Sequence, residues 1–211
     1  EMQEHPELRG KSIAVCGDPE ARHGIVLTAS YPAKRMGVKT GMPIWEAKQH
    51  CRDLIIVPAS FGKYQKYSGY VREVFNDYTD QVESFGLDEA WLDITGSVGL
   101  FGSPVKIAKE ISVRIKRELG ITVSIGVSFN KITAKLGSDY KKPDAITVIE
   151  PDTYKQIVYP LPVGDLLYVG NATQRKLGSY GIRTIGQLAE TNPEVLKGWF
   201  GVMGYTLSAF A

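Results

Sequence analysis

A chain of 211 residues holds one large domain or two small ones at roughly 150 residues per domain. Its hydrophobic content of 43% and charged content of 23% sit close to globular averages and exclude disordered, collagen-like and coiled-coil classes. No stretch reaches the ~18 apolar residues of a membrane span, so no membrane partner is expected. No secretory leader is expected either. Cys16 and Cys51 are the only cysteines, and two make neither a disulfide framework nor a metal cluster. A reducing, cytoplasmic setting is the expectation.

The net charge is only +2, but it is unevenly spread. Acidic residues outnumber basic ones over 60–101, and basic residues outnumber acidic ones over 102–149. This suggests a site that holds cations beside a surface that holds anions. Charges scattered over solvated helix faces would give the same counts.

In chain order, the apolar run 12–16 predicts a strand that ends in a turn at Gly17-Asp18-Pro19. A second strand is predicted over 25–29. Ser30 is placed to cap a short helix opened by Tyr31-Pro32 and stopped at Gly37. A helix from Pro43 and a strand over 54–57 follow. Tyr64, Tyr67, Tyr70, Val71, Val74, Phe75 and Tyr78 recur at spacings of three and four and predict one long amphipathic helix. Strands are predicted over 82–87 and 90–94, separated by Asp88-Glu89. A helix over 105–119 carries the stripe Ile107, Ile111, Ile115 and Leu119. A strand over 123–127, a helix over 130–140 and a strand over 146–149 complete the region. From residue 62 this order is that of a ferredoxin-like βαββαβ unit without its first strand, which either the small α/β module of residues 10–60 supplies or lies upstream of the chain. After Pro160-Leu161-Pro162 the chain is helical, with short helices at 172–177, 185–189 and 193–199. A boundary is placed near 151–162.

Asp88-Glu89 is the most informative pair. Adjacent carboxylates at a strand junction repel unless a cation lies between them. Mg²⁺, which takes one or two carboxylates plus substrate phosphates, would suit them. Lys142 follows a helix and precedes a strand of the same sheet, where its ammonium could reach a phosphate as a mobile point charge. Thr28, Ser30, Tyr31, Lys34 and Arg35 run from a strand end into the first turns of a helix, where free N–H groups favour an anion. The stretch 166–177 reads as a helix-hairpin-helix whose usual first glycine is replaced by Tyr168. Its candidate phosphate contacts are Val169, Gly170, Ala172 and Lys176. Each feature alone has a plain structural explanation: a polar hairpin tip, lysines complementing a helix dipole, a capped helix, a helical turn. His5, His23 and His50 stand apart without partners at ligand or triad spacing, and the cysteines read as core.

Together these segments resemble the Y-family lesion-bypass DNA polymerases, the UmuC-like and DNA polymerase IV-like proteins. Thr28-Ala29-Ser30-Tyr31-Pro32-Ala33-Lys34-Arg35-Met36-Gly37-Val38-Lys39 is similar to the fingers motif that meets the incoming triphosphate. Ser84-Phe85-Gly86-Leu87-Asp88-Glu89-Ala90-Trp91-Leu92-Asp93 is similar to the palm motif with the metal-binding Asp-Glu. Val123 to Lys131 and Asp139-Tyr140-Lys141-Lys142-Pro143 resemble two further palm segments. The resemblance implies an α+β chain, with fingers over 1–59, a ferredoxin-like palm over 60–150 and a helix-hairpin-helix thumb over 151–211. It implies that the first palm strand, with its aspartate and steric gate, and the little-finger domain both lie outside the chain. It further implies two Mg²⁺ ions at Asp88 and Glu89, and a dNTP held by Thr28, Tyr31, Lys34 or Arg35, and Lys142. Primer–template DNA is the implied partner, with a sliding clamp reached through the missing C-terminal region. The expected activity is template-directed nucleotidyl transfer in the intact protein, with the 211-residue fragment inactive. Two other readings stay open: a DNA-binding protein without catalysis that uses only its helical C-terminal module, and a nucleotidyl cyclase with a related palm.

Overall fold

The computed structural model describes residues 1–17 and 24–211. The expected turn at Gly17-Asp18-Pro19 and His23 therefore fall wholly or partly outside the described residues. The chain divides into two compact units, Glu1–Ser68 and Gly69–Ala211.

The first unit is built on a three-stranded sheet of order β2-β1-β3. Its strands are β1 (Ile13–Cys16), β2 (Val26–Ala29) and β3 (Ile55–Pro58). The central β1 runs antiparallel to β2 and parallel to β3. All four β1 residues are buried, which explains why this strand reads as an unbroken apolar run rather than an alternation. On one side lie Ala14, Cys16, Val26, Ala33, Val38, Ala47, Cys51 and Leu54. On the other, Ile13, Val15 and Val57 pack with Leu8 and Tyr64. Helix α1 (Tyr31–Arg35) and helix α2 (Ile44–His50) complete the unit. Both cysteines are free and buried, as the sequence suggested.

Ser30 does not cap α1 as expected. Its hydroxyl accepts from the Ile13 amide at 3.0 Å and donates to the Lys11 carbonyl at 3.0 Å. Sheet contacts thus take the oxygen that a cap would use.

The second unit begins within α3 (Phe61–Asn76). Next come the antiparallel hairpin β4 (Val82–Phe85) and β5 (Glu89–Leu92), the short α4 (Val98–Phe101) and the long α5 (Pro104–Leu119). β6 (Ile125–Ser128), α6 (Lys131–Tyr140) and β7 (Ile146–Ile149) form a βαβ unit with parallel strands. The helical remainder comprises α7 (Tyr154–Val158), α8 (Asn171–Ser179), α9 (Ile185–Ala189), α10 (Pro193–Phe200) and α11 (Val202–Phe210). The α5 stripe is realised: Ile107, Ile111 and Ile115 are buried with Val74 and Tyr78, and Leu119 packs against them. The long tyrosine face is only partly buried, since Tyr70 stays exposed while Val74 closes the core. A second core joins Leu136 and Ile149 to Val158, Leu177, Leu188, Leu196 and Leu207. The βαβ unit and the helical segment are therefore continuous in their packing.

Among the described residues, β4-β5 and β6-β7 are separate two-stranded ladders. Side chains link them. Leu92 and Ile94 share an apolar cluster with Val123 and Ile125. The Trp91 indole N–H donates to the Lys131 carbonyl at 3.0 Å.

Helix α6 lies very close to β6. A Cβ on Gly126 would stand 1.8 Å from the Ala134 carbonyl oxygen, and one on Gly137 would stand 3.1 Å from Gly126 Cα. Only glycine permits this approach. Gly126→Ala is expected to destabilise the fold by about 3 kcal/mol through overpacking, read as a lower urea midpoint with unchanged slope. An unchanged midpoint would contradict the close packing.

Candidate functional site

The hairpin turn places the two carboxylates differently from the sequence expectation. Phe85 pairs with Glu89, so Glu89 begins β5 and only Asp88 lies in the turn Gly86-Leu87-Asp88. Gly86 takes a φ of 74°, a left-handed conformation that a side chain would disfavour. The Arg72 guanidinium of α3 donates to the Gly86 carbonyl at 2.8 Å and anchors the turn. Asp88 is exposed and makes no hydrogen bond or ion pair with a described residue. Glu89 is half-buried and paired: its Oε1 accepts from the Lys135 ammonium at 2.8 Å.

Lys135 also meets Asp139 at 2.7 Å, and Asp139 in turn meets Lys142 at 2.6 Å. The result is an alternating chain, Glu89, Lys135, Asp139, Lys142, that connects two of the sequence candidates. It is carried largely by α6. Burial alone would lower the Lys135 pKa, but hydrogen bonds to Asp139 and Glu89 outweigh it and raise the group above its ordinary value. Burial pushes the Asp139 carboxyl up, but hydrogen bonds from Lys135 and Lys142 outweigh this and hold it below the usual range. Both groups are therefore charged at neutral pH.

One turn earlier on α6, Lys131 forms an ion pair with Glu83 and stands 5.7 Å over the Trp91 ring. Lys131 and Lys135 thus meet two carboxylates of the same hairpin. The N-terminus of α6 is fixed as well. The Asn130 side chain accepts from the Thr133 amide at 2.9 Å. The Ser128 hydroxyl shares a hydrogen bond with the Thr133 hydroxyl and donates to the Ile149 carbonyl at 2.7 Å.

The chemistry of the donor set fits Mg²⁺. A free carboxylate and an adjacent ion-paired one supply hard oxygens, and this ion takes one or two carboxylates with substrate phosphates completing its shell. No group of three or more His, Cys, Asp and Glu side chains placed to hold a metal is found among the described residues.

The remaining candidates fall elsewhere. Thr28 is exposed on β2 opposite Val15 in the first unit. Tyr31 is exposed at the start of α1, with the Lys34 ammonium 5.3 Å over its ring. Arg35 is the last residue of the same helix. In the helical segment, Tyr168 has a φ of 69°, the conformation expected where a glycine is usual. The Val169 side chain is buried and its amide donates to the Leu166 carbonyl at 3.0 Å, so this N–H is not free for a phosphate. Gly170 caps α8 and Ala172 lies exposed in its first turn, where amides lack intrahelical acceptors. Lys176 is turned onto the protein itself: it donates to the Trp199 carbonyl and stands 4.7 Å over the Phe200 ring.

Sequence reasoning missed Lys135, Lys131 and Arg72. The spacing of Lys135 to Asp139 and of Asp139 to Lys142 signals helix pairing. The link from Lys135 to Glu89 is tertiary and has no local signal.

The family described as impB/mucB/samB matches residues 1–139. The DNA polymerase IV of Acetivibrio thermocellus is 56% identical over 207 residues, covering 98% of this chain and 52% of that protein. DNA polymerase IV 1 of Bacillus subtilis is 43% identical over 204 residues, covering 97% of this chain and 49% of that protein. The chain thus spans about half the length of these curated relatives. Among solved structures, DinB from Sulfolobus solfataricus superposes with a TM-score of 0.90 at 31% identity, covering 100% of this chain and 62% of that one. The insertion ternary complex of Dbh DNA polymerase gives 0.89 at 31% identity, with 100% and 62% covered.

Proposed function

The chain belongs to the impB/mucB/samB family of UmuC-like, Y-family polymerases, and from that premise we propose that it is the catalytic-core segment of a template-directed lesion-bypass DNA polymerase. The observation that supports this reading best is the hairpin Asp88-Glu89 tied through α6 to Lys142. In this reading residues 1–59 are fingers, 60–150 palm and 151–211 thumb. The substrates are a dNTP and primer–template DNA.

Asp88 and Glu89 would hold two Mg²⁺ ions, and the chemistry supplied there would be neutralisation of triphosphate charge and a lowered pKa for the primer 3′-hydroxyl that displaces pyrophosphate. The protein's own groups do the rest. Glu89 is pre-oriented by its ion pair, so little side-chain freedom remains to be lost when substrate arrives. Lys142 is half-exposed, and its ammonium can follow charge that shifts toward the leaving phosphates. Thr28, Tyr31, and Lys34 or Arg35 contact the triphosphate from the fingers. In the thumb, Gly170 and Ala172 present backbone amides to a DNA phosphate. Val169 packs this turn through its buried side chain, and Lys176 adds positive charge nearby.

The test places these 211 residues in the DNA polymerase IV of Acetivibrio thermocellus, in exchange for the matching segment. The chimera is expected to extend a primed template with Mg²⁺, and the 211 residues alone are not. Asp88→Asn or Glu89→Gln in the chimera is expected to reduce incorporation about 100-fold or more, with an unchanged melting temperature. Near-normal extension by either variant would refute the metal assignment.

Lys142→Ala has a different signature. It should raise the KM for dNTP about 10-fold through loss of one charged contact, while the Kd for primer–template stays within about 2-fold. Equal weakening of both would make Lys142 a general DNA contact.

A further inference from the structure

The ion pair that orients Glu89 also sets a cation, Lys135, against it. The Lys135 side chain is only 17% exposed, against 32% for Glu89. The ammonium lies 2.8 Å from Glu89 and 2.7 Å from Asp139, so it bridges two carboxylates of different elements. Asp139 is in turn held by Lys142 at 2.6 Å. The helix that carries Lys135 is set against β6 by glycine contacts that leave no room for adjustment. Lys135 is thus a cation held rigidly against a carboxylate that is itself assigned to a cation.

Two cations that share one carboxylate oxygen compete. The ammonium compensates Glu89 while no divalent ion is bound, and it repels an ion that approaches alone. A nucleotide triphosphate changes this balance. Its phosphate oxygens add ligands for the divalent ion, and its negative charge offsets the ammonium.

We propose that Lys135 is a positioning residue and competing cation. It holds Glu89 in place in the metal-free protein and weakens binding of a free divalent ion, so that metal enters together with the triphosphate. Asp139 anchors Lys135 from the same helix and ties it to Lys142 just beyond the helix end. This proposal rests on the assignment of Asp88 and Glu89 to metal.

The test is a titration of the 211-residue chain with Mn²⁺, an oxygen-preferring ion whose free form is counted by electron paramagnetic resonance. Lys135→Met and Lys135→Gln are expected to bind Mn²⁺ at least about five-fold more tightly than the unaltered chain, since a neighbouring positive charge is gone. Lys135→Arg should match the unaltered chain, because it restores the cation. Adding Glu89→Gln to Lys135→Met should abolish the gain. Unchanged or weaker Mn²⁺ binding by the neutral variants would overturn the proposal, as would a gain that survives Glu89→Gln. Should neither neutral variant fold, the unaltered chain carries the test: Mg²⁺ must shift the ¹⁵N resonance of the Lys135 ammonium, and no shift overturns the proposal. The metal assignment itself fails in a distinct way, when Glu89→Gln in the otherwise unaltered chain leaves Mn²⁺ binding undiminished. If Glu89→Gln weakens binding but the Lys135 variants do not strengthen it, only the role of Lys135 is lost.

Discussion

The contact between Gly126 and Gly137 sets the geometry of the second unit. With no side chain on either residue, the α6 backbone rests directly on β6. That depth decides where the α6 lysines reach. Lys131 and Lys135 extend from one face of the helix to Glu83 and Glu89 of the neighbouring hairpin. A helix held further from the strand would carry both ammonium groups away from these carboxylates. The cap at Asn130 and the Ser128–Thr133 hydrogen bond fix its N-terminal end against the same strand. A packing constraint in the βαβ unit thus becomes an electrostatic constraint at the hairpin.

The ion pairs of the second unit differ in what they contribute. Exposed ion pairs such as Lys106 with Glu110 bring little, because water screens them and side-chain freedom is lost. Lys135 is different because its ammonium is largely shielded and serves two acceptors. Removing it would leave Glu89 and Asp139 without their shared partner. The pairing therefore matters more for where charge is held than for stability.

Much of the fold was legible in the sequence, because local signals agreed with tertiary packing. The α5 stripe, the strand over Ile146–Ile149 and the helix over Ile185–Ala189 followed from periodicity and breaks alone. Ser30 was misread because a side chain suited to capping is equally suited to a sheet hydrogen bond, and only tertiary structure decides. Helix α11 was not delimited, since Val202, Met203 and Gly204 carry no cap or periodic signal of their own. For the site, the pair Asp88-Glu89 and Lys142 stood out through adjacency and position. That Glu89 starts a strand while Asp88 stays in the turn depends on the register Phe85 to Glu89, which no spacing revealed. Lys135 escaped notice because its partner lies on another element.

The central claim is that Asp88 and Glu89 form the place where a divalent ion meets the triphosphate. Crystals of the 211-residue chain soaked with Mn²⁺ and a non-hydrolysable dNTP test it directly by anomalous diffraction. The expected result is a manganese peak about 2.1 Å from carboxylate oxygens of both residues, a hard-cation oxygen distance, with a phosphate oxygen of the nucleotide on the same ion. A bound nucleotide whose manganese touches neither Asp88 nor Glu89 would contradict the claim.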